Sequence, residues 1–516
     1  MRRAVRLFLL AVLGLSLLST SAPSLARPGG GQGFSGGSRS GGGGGGRSGG
    51  GGYSGSRPSY SGSSSGYSGG GSSSGGLSIV GVFVLIIVIV IIAAIQAAMR
   101  KGRQNWSSGG NVDWGQPMYV PPPRPVVSAR RRLQALQSTD PNFSIIVFDD
   151  FLSALYTEIV LAQGQGKLER YSAYLSPEAK QAMAMRPLQG ISNVLVGSVT
   201  LDGVQGLDAV SPTVTVSVLF ETNLSRRDPQ TGYEQAIYTM ERWSLSRSRT
   251  AKSRTPDKAR VFACPNCTAP LEQILAGRCG HCGQNVATGA FDWVVRAVQV
   301  VSTENRGPML TGNTAEEGTN AATLVDPSAR PAIEVLRARD PAFDWNAFLG
   351  RVTHVFQQFQ KSWSERNLEG MRPFLSDAIF VTQSYWVDEY KRQRLRNVTE
   401  NARILNVELS RVTTDAFFDA ITVRVFATSL DYTLSDQNNQ IVSGSRSQER
   451  RYTEYWTFIR GKDAKGPTRT DPKCPRCGAP LSINMSGNCT YCQSKVTNGN
   501  FDWVLSRIEQ DEVYTV

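Results

Sequence analysis

Histidine is almost missing from this chain: His281 and His354 are the only two among 516 residues. Acids are outnumbered, with 42 Asp and Glu against 55 Lys and Arg, which leaves a net charge of +13. Cysteine is absent except in two short stretches, which together hold all eight. The shortage of histidine removes the commonest acid–base side chain and leaves no Ser/His/Asp set. No phosphate-cradling loop is present, and no cysteine stands apart as a catalytic nucleophile. These absences point away from an enzyme.

The cysteines that are present form a pattern. Cys264-Pro-Asn-Cys267 is followed by Cys279-Gly-His-Cys282, and Cys474-Pro-Arg-Cys477 by Cys489-Thr-Tyr-Cys492. Eleven residues separate the two pairs in each cluster, and the clusters are offset by 210. Two Cys-x-x-Cys turns at this spacing bring four thiolates around one tetrahedral zinc at about 2.3 Å each. Pro265 and Pro475 stiffen the first turn, while Gly280 and Gly478 are expected to allow the tight backbone beside the sulfurs. The alternatives are a pair of disulfides or a redox motif, but a redox Cys-x-x-Cys comes singly, at a strand-to-helix junction. Two structural zincs are therefore expected, in ribbons spanning 262–289 and 472–499. Four sulfur ligands leave no position for water, so neither site would be hydrolytic. His281 is surplus to the ligand set and is expected to be exposed.

The start of the chain reads as targeting. Arg2, Arg3 and Arg6 precede an apolar run and small residues ending at Ala26, the three-part layout of a signal peptide over 1–26. Residues 27–76 are nearly all Gly and Ser and cannot bury enough apolar surface to order. Leu77–Met99 is 23 residues without a charge, long enough to cross about 30 Å of hydrocarbon. Arg100, Lys101 and Arg103 follow at once, so the positive-inside rule places everything after the span in the cytoplasm of a single-pass membrane protein. The Gly-rich segment would then lie outside. Cytoplasmic thiols stay reduced and available as ligands. Residues 100–138 read as a Pro-rich linker, in which Arg130, Arg131 and Arg132 suit either anionic lipid or a solvated basic face.

From about Thr139 the sequence repeats itself. Asp140-Pro141-Asn142-Phe143 corresponds to Asp340-Pro341-Ala342-Phe343, and Leu175-Ser176 to Leu375-Ser376. Glu241-Arg242-Trp243 matches Glu454-Tyr455-Trp456, and Phe-Asp-Trp-Val follows each cysteine cluster at 291–294 and 501–504. Each copy opens with a long helix, marked by Phe148, Leu152, Leu155 and Ile159 in the first and by Phe348, Val352, Val355, Phe356, Phe359 and Trp363 in the second. Asp140-Pro141 and Asp340-Pro341 suit a helix start. Shorter helices are expected over Leu168–Met185 and Leu368–Tyr390. The period then changes to two at Val214, Val216, Val218 and Phe220, and at Ile421, Val423 and Val425. Helices followed by a curved antiparallel sheet give an α+β class. The copies span 139–301 and 339–516, each with its own core, joined by a linker over 302–338. Each ribbon is an insertion before the last strand.

Helix, helix and sheet ending in Glu-x-Trp, on a membrane-tethered chain, resemble the TIM-forty-four-like domain family of the mitochondrial import inner-membrane translocase subunit. The bacterial zinc-ribbon-containing transport subgroup is the nearest form. The resemblance implies a cone of the nuclear-transport-factor-two/cystatin-like type, in which long helices are wrapped by a bent antiparallel sheet. Two such cones would stand in tandem, each with its zinc ribbon, after one transmembrane helix. The mitochondrial proteins are single-domain and ribbon-free, and carry an N-terminal chaperone-tethering region that this chain lacks. The resemblance thus implies fold and membrane association more than a part in protein import.

Glu241 and Glu454 each share a strand face with Trp243 and Trp456, which makes them candidate polar groups of a binding pocket inside the cone. The other possibility is that they lie on a solvent face, paired to an arginine. His354 lies on or beside an apolar helix stripe and reads as a core histidine. Basic residues crowd the approach to each ribbon, from Arg242 to Arg260 and from Arg460 to Lys473. Nucleic acid is one partner for such tracts, but stacking aromatics are sparse there and the chain is held at a membrane. The expected function is a non-enzymatic, membrane-anchored scaffold that docks an unidentified protein partner, possible anionic lipid included, in protein transport or membrane-protein assembly. A carrier of lipid or a small apolar ligand is the runner-up, and a membrane-tethered nucleic-acid binder the third reading.

Overall fold

A computed structural model of the chain describes residues 128–516, apart from positions 187, 209, 229, 308–309, 311–317 and 512. The signal peptide, the Gly/Ser segment, the membrane helix and most of the 100–138 linker expected from sequence lie outside the described residues. No helix among the described residues is long and apolar enough to cross a membrane. The linker's basic stretch falls within them and forms α1 (Ala129–Leu133). Arg130 pairs with Asp149, and Arg131 lies 3.4 Å from Asp326, so these two cations are held by protein carboxylates.

The long helix of the first half is α2 (Ile145–Gly164), and the shorter α3 (Pro177–Ala184) follows. Then come the strands β1 (Ile191–Gln205), β2 (Thr213–Arg227) and β3 (Glu234–Ser248). The two-residue strands β4 (Ile274–Leu275) and β5 (Arg278–Cys279) belong to the cysteine-bearing excursion, and β6 (Val294–Glu304) returns to the sheet. The second half has α4 (Ala329–Arg339), α5 (Trp345–Ser364), α6 (Leu368–Met371) and α7 (Asp377–Arg392). Its strands are β7 (Leu395–Thr414), β8 (Phe418–Ser435), β9 (Ile441–Gly461) and β10 (Val504–Gln510). The sheets run β1-β2-β3-β6 and β7-β8-β9-β10, every neighbouring pair antiparallel. The class is α+β with antiparallel sheets.

The alternating strand pattern does what its period dictates. Val214, Val216, Val218 and Phe220, and likewise Ile421, Val423 and Val425, are all at most 1% exposed. The helix starts differ from expectation. Asp140 and Asp340 stand outside their helices, whose N-termini are capped by Ser144 and Asp344, accepting from the Val147 and Ala347 amides at 3.2 and 2.7 Å. The two earlier aspartates are buried instead against Arg247 and Arg460, which reach back from the ends of β3 and β9.

The second helical segment is broken in both halves, at the shared Leu-Ser pair. Ser176 and Ser376 donate their backbone N–H groups to the carbonyls of Val295 and Leu505, both at 2.9 Å. The pair thus leaves the helix to join the last strand as a short parallel bridge. The stretch 302–338 is also more than a linker: β6 runs into it, and α4 buries Ile333 and Leu336.

Each half has a main core, but the cores are not independent. Val147 and Ala259 of the first half pack with Phe418, Ala420, Ile459 and Val504 of the second. Leu195 and Tyr238 join the second half's main cluster. A sequence repeat predicts equivalent interiors but carries no signal for how two copies pack.

Candidate metal centres

All four cysteine turns are built alike. The residue after each pair donates its N–H to the carbonyl of the first cysteine: Thr268 to Cys264, Gly283 to Cys279, Gly478 to Cys474 and Gln493 to Cys489, at 2.8–2.9 Å. That closure needs a left-handed residue, and these four have φ of 62°, 71°, 73° and 58°. Gly478 has the role expected of it. Gly280 does not: the left-handed position is held by Gly283, after the second cysteine rather than between the two. A second bond closes each turn from outside, the first cysteine's N–H donating to Ala269, Gln284, Ala479 or Ser494 at 2.7–3.0 Å.

The turns bring the sulfurs together in fours. The ligand atoms of Cys264, Cys267, Cys279 and Cys282 lie within 4.8 Å of one another, as do those of Cys474, Cys477, Cys489 and Cys492. Sγ separations are 3.9 Å for Cys264–Cys282, 3.8 Å for Cys267–Cys279, 3.8 Å for Cys474–Cys492 and 4.0 Å for Cys477–Cys489. A tetrahedron with arms of about 2.3 Å has edges of about 3.8 Å, so the quartets fit a metal of that coordination. A disulfide would need about 2.05 Å, and all eight cysteines are free. The first cysteine of each turn faces inward and is buried, while the second lies nearer solvent. Donors surround the outer sulfurs. The Asn266 side chain, with the Gln284 amide, pulls the Cys282 thiol down to about 6, and the Ser494 hydroxyl and amide do the same for Cys492. His281 is exposed. With four sulfurs around the centre no coordination position remains for a reacting water.

Each cluster is riveted to the helices of its own half. The Tyr174 hydroxyl donates to the Ala263 carbonyl at 2.6 Å, and Phe262 packs on Phe151, Tyr171 and Tyr174. In the second half Arg372 donates to the Met485 carbonyl at 2.8 Å, and Lys495 reaches Asp377 at 2.7 Å. The cluster sits between β3 and β6, or between β9 and β10, and the shared Phe-Asp-Trp-Val leads back into the sheet, with Trp293 and Trp503 buried.

The two Glu–Trp pairs are interior and closed. Trp243 Nε1 donates to Glu241 Oε2 at 2.9 Å, and Trp456 Nε1 to Glu454 Oε2 at 2.9 Å. Arg186 grips Glu241 with both guanidinium nitrogens, and Gln510 donates to Glu454 at 3.3 Å. Tyr156 and Phe220 pack around Trp243, and Phe356 and Phe359 around Trp456. Both carboxylates lie inside rather than on a solvent face: Glu241 has an arginine partner there, and Glu454 has Gln510. These side chains hold the helix to the sheet.

The basic tracts are largely spent on the protein itself. Arg242 pairs with Asp202, Arg247 with Asp140, Arg254 with Asp292, Arg460 with Asp340 and Arg469 with Asp471. Lys252 donates to the Thr139 carbonyl. Apart from Arg469–Asp471 these pairs join residues 38 to 120 apart and leave no local mark in a sequence, so such arginines read as free surface when they are not. His354 is half-buried rather than in the core, edge-on to Phe374 at 5.3 Å, and lines a groove beside the second cluster.

Residues 329–470 match the family model described as the Tim44-like domain. This stretch is a Tim44-like domain. The match begins at α4, in what the sequence presents as linker, and stops just before Cys474, so the second cysteine cluster and β10 lie beyond it. No curated protein matches the chain. Among solved structures an "Ntf2 like protein involved in plasmid conjugation" is 9% identical, over 70% of this chain and 92% of that one, at a TM-score of 0.17. A likeness at that score carries no argument, and the assignment rests on the Tim44-like match.

Proposed function

We propose that the chain is a non-enzymatic scaffold, anchored in a cell membrane by Leu77–Met99, that presents two tandem Tim44-like cones on the cytoplasmic side. Each cone is stapled by a structural zinc, held by Cys264, Cys267, Cys279 and Cys282 in the first and by Cys474, Cys477, Cys489 and Cys492 in the second. The observation that carries the scaffold reading is the filled interior. Where a cone enzyme or lipid carrier needs an open cavity with a free polar group, both halves have aromatic side chains, and Glu241 and Glu454 bonded to their own tryptophans. That filling weighs against the carrier reading, and the internally paired arginines weigh against nucleic acid. The matching Tim44-like domain favours work in protein transport or membrane-protein assembly.

Three measurements test this. Metal analysis of the purified chain should give two zinc ions per chain, and disulfides without metal would refute the centres. Proximity labelling from the native membrane should return a reproducible set of protein partners. A turnover assay in which the chain converts a substrate and Glu454→Gln abolishes that activity without unfolding it would overturn the scaffold reading.

A further inference from the structure

The two halves diverge beside the cysteine clusters. In the first half the space between α2 and the cluster is plugged: Phe262 inserts against Phe151 and Tyr174, and Arg254 stacks over the same three rings while binding Asp292. In the second half the plug is gone. Pro472 stands where Phe262 does, two residues before the first cysteine, and Arg351 replaces Phe151 on the long helix. Arg351 takes over the aspartate from the opposite side, 3.8 Å from Asp502 and donating to the Trp503 carbonyl at 3.1 Å. What remains is a groove of about 170 Å³, lined by Phe374, Leu481, Val496 and Phe501 and by Pro472 and Pro475.

We propose that this groove of the second half docks an aromatic side chain of a partner protein, flanked in that partner by acidic residues. Three observations point to this occupant. The first half shows that the same position accepts a phenyl ring, since Phe262 fills it. The size agrees, because an apolar cavity of about 150 Å³ takes up benzene. The rim supplies the charge: the lining groups include Arg351, Arg469 and Lys473 against Asp471 and Asp502, three bases to two acids. Asp502 is taken up by Arg351 and Asp471 by Arg469, which leaves exposed Lys473 as the surplus cation. His354 adds no fixed charge, since burial and the neighbouring Arg351 hold its imidazole below the usual range. A buried aromatic anchor within a polar, charged rim is the arrangement of an interface hot spot.

The inference rests on the scaffold reading, but that reading would survive a partner docked elsewhere on the chain. The test uses the full-length chain and three synthetic probes: a peptide with Phe between glutamates, the same peptide with Ala for Phe, and one with Phe between lysines. The first should bind at least tenfold more tightly than either of the others. Pro472→Phe, which installs the first half's plug, should abolish that binding while leaving metal content and melting temperature unchanged. Should that variant fail to fold, Lys473→Glu at the exposed rim decides, and it should reduce the preference for acidic over basic flanks at least fivefold. Equal binding of the Phe and Ala peptides, an unaltered affinity in folded Pro472→Phe, or an unaltered flank preference in Lys473→Glu would each overturn the proposal. Phenylacetate binding as tightly as the peptide would also overturn it, by making the groove a small-molecule site.

Discussion

The aspartates that open the two repeats show how a residue's neighbours in space can outrank its neighbours in sequence. Asp140 accepts from Arg247 at 2.8 Å, out of water, and from the half-buried Ser253 hydroxyl and amide at 2.6 and 2.9 Å. Asp340 is held the same way by Arg460. Removing one partner of a buried pair strands the other charge, at a cost of about 3–5 kcal/mol. Losing a helix cap costs about 1 kcal/mol. Asp340→Ala should therefore destabilise the second half several times more than Asp344→Ala, read as the shift in urea midpoint by tryptophan fluorescence. Equal shifts would mean that Asp340 acts only locally. The sequence suggested a helix start at Asp-Pro because that rule is local. The arginine partner lies 107 residues away in the first half and 120 in the second, and only the repetition of both residues could have linked them. The eight cysteines were legible for the opposite reason, since their partners are fixed by short, repeated spacings. The Glu–Trp pairs lie between these cases: strand alternation put both side chains on one face, but not which face.

At the scale of elements, the insertion of each cysteine cluster before the last strand was readable because Phe-Asp-Trp-Val recurs after both. The helix break at Leu175-Ser176 and Leu375-Ser376 was not, because its cause is a bridge to that same distant strand. The two features are mechanically one. β10 is held on one side by β9 and on the other by the Ser376 amide, and its approach is set by the cysteine cluster that closes the loop after β9. Closing a loop removes entropy from the unfolded chain, and a structural zinc site adds apparent binding energy of roughly 10 kcal/mol or more in isolated peptides. Chelation, or Cys474→Ser, should thus release the second cluster and expose the amides of Phe501–Leu505 to exchange. Amides there that stay fully protected after metal removal would show that the cluster is an appendage. Because Val504 packs on Val147 and Ala259, and Arg507 binds Asp149 at 2.6 Å, the disturbance should also reach the start of α2, around residues 145–149. Copies with separate cores would confine it to the second half, and exchange measured on both segments distinguishes the two outcomes.

The seam between the halves is the feature of the whole molecule that sequence concealed most completely, since a repeat gives each copy the same residues whatever its neighbour does. The seam holds a partly open cavity of about 210 Å³ and is charged, its lining including Arg130, Arg260, Arg411 and Arg507 together with Asp149, Asp150 and Glu509. Asp149 is shared between Arg130 and Arg507. Asp150 has no such clamp: burial pushes its carboxyl up to about 6, against a partial pull from Arg260 and with Asp149 and Asp377 adding to the push. An acid whose folded pKa lies above its unfolded value favours folding when protonated. The packed seam is therefore most stable below about pH 4 as far as Asp150 is concerned, and that contribution is lost as pH rises through 6. A rise of that size is worth about 3 kcal/mol at most, and less in practice because the side chain is only partly buried. Asp150→Asn should leave stability unchanged near pH 4 and raise it by about 1–2 kcal/mol at pH 7, measured by urea unfolding of both forms across that range. A difference that is constant with pH would mean that Asp150 ionises as freely in the folded chain as in the unfolded one. A larger difference at low pH would reverse the sign, and would make the Arg260 attraction, rather than burial, the dominant influence on this carboxylate.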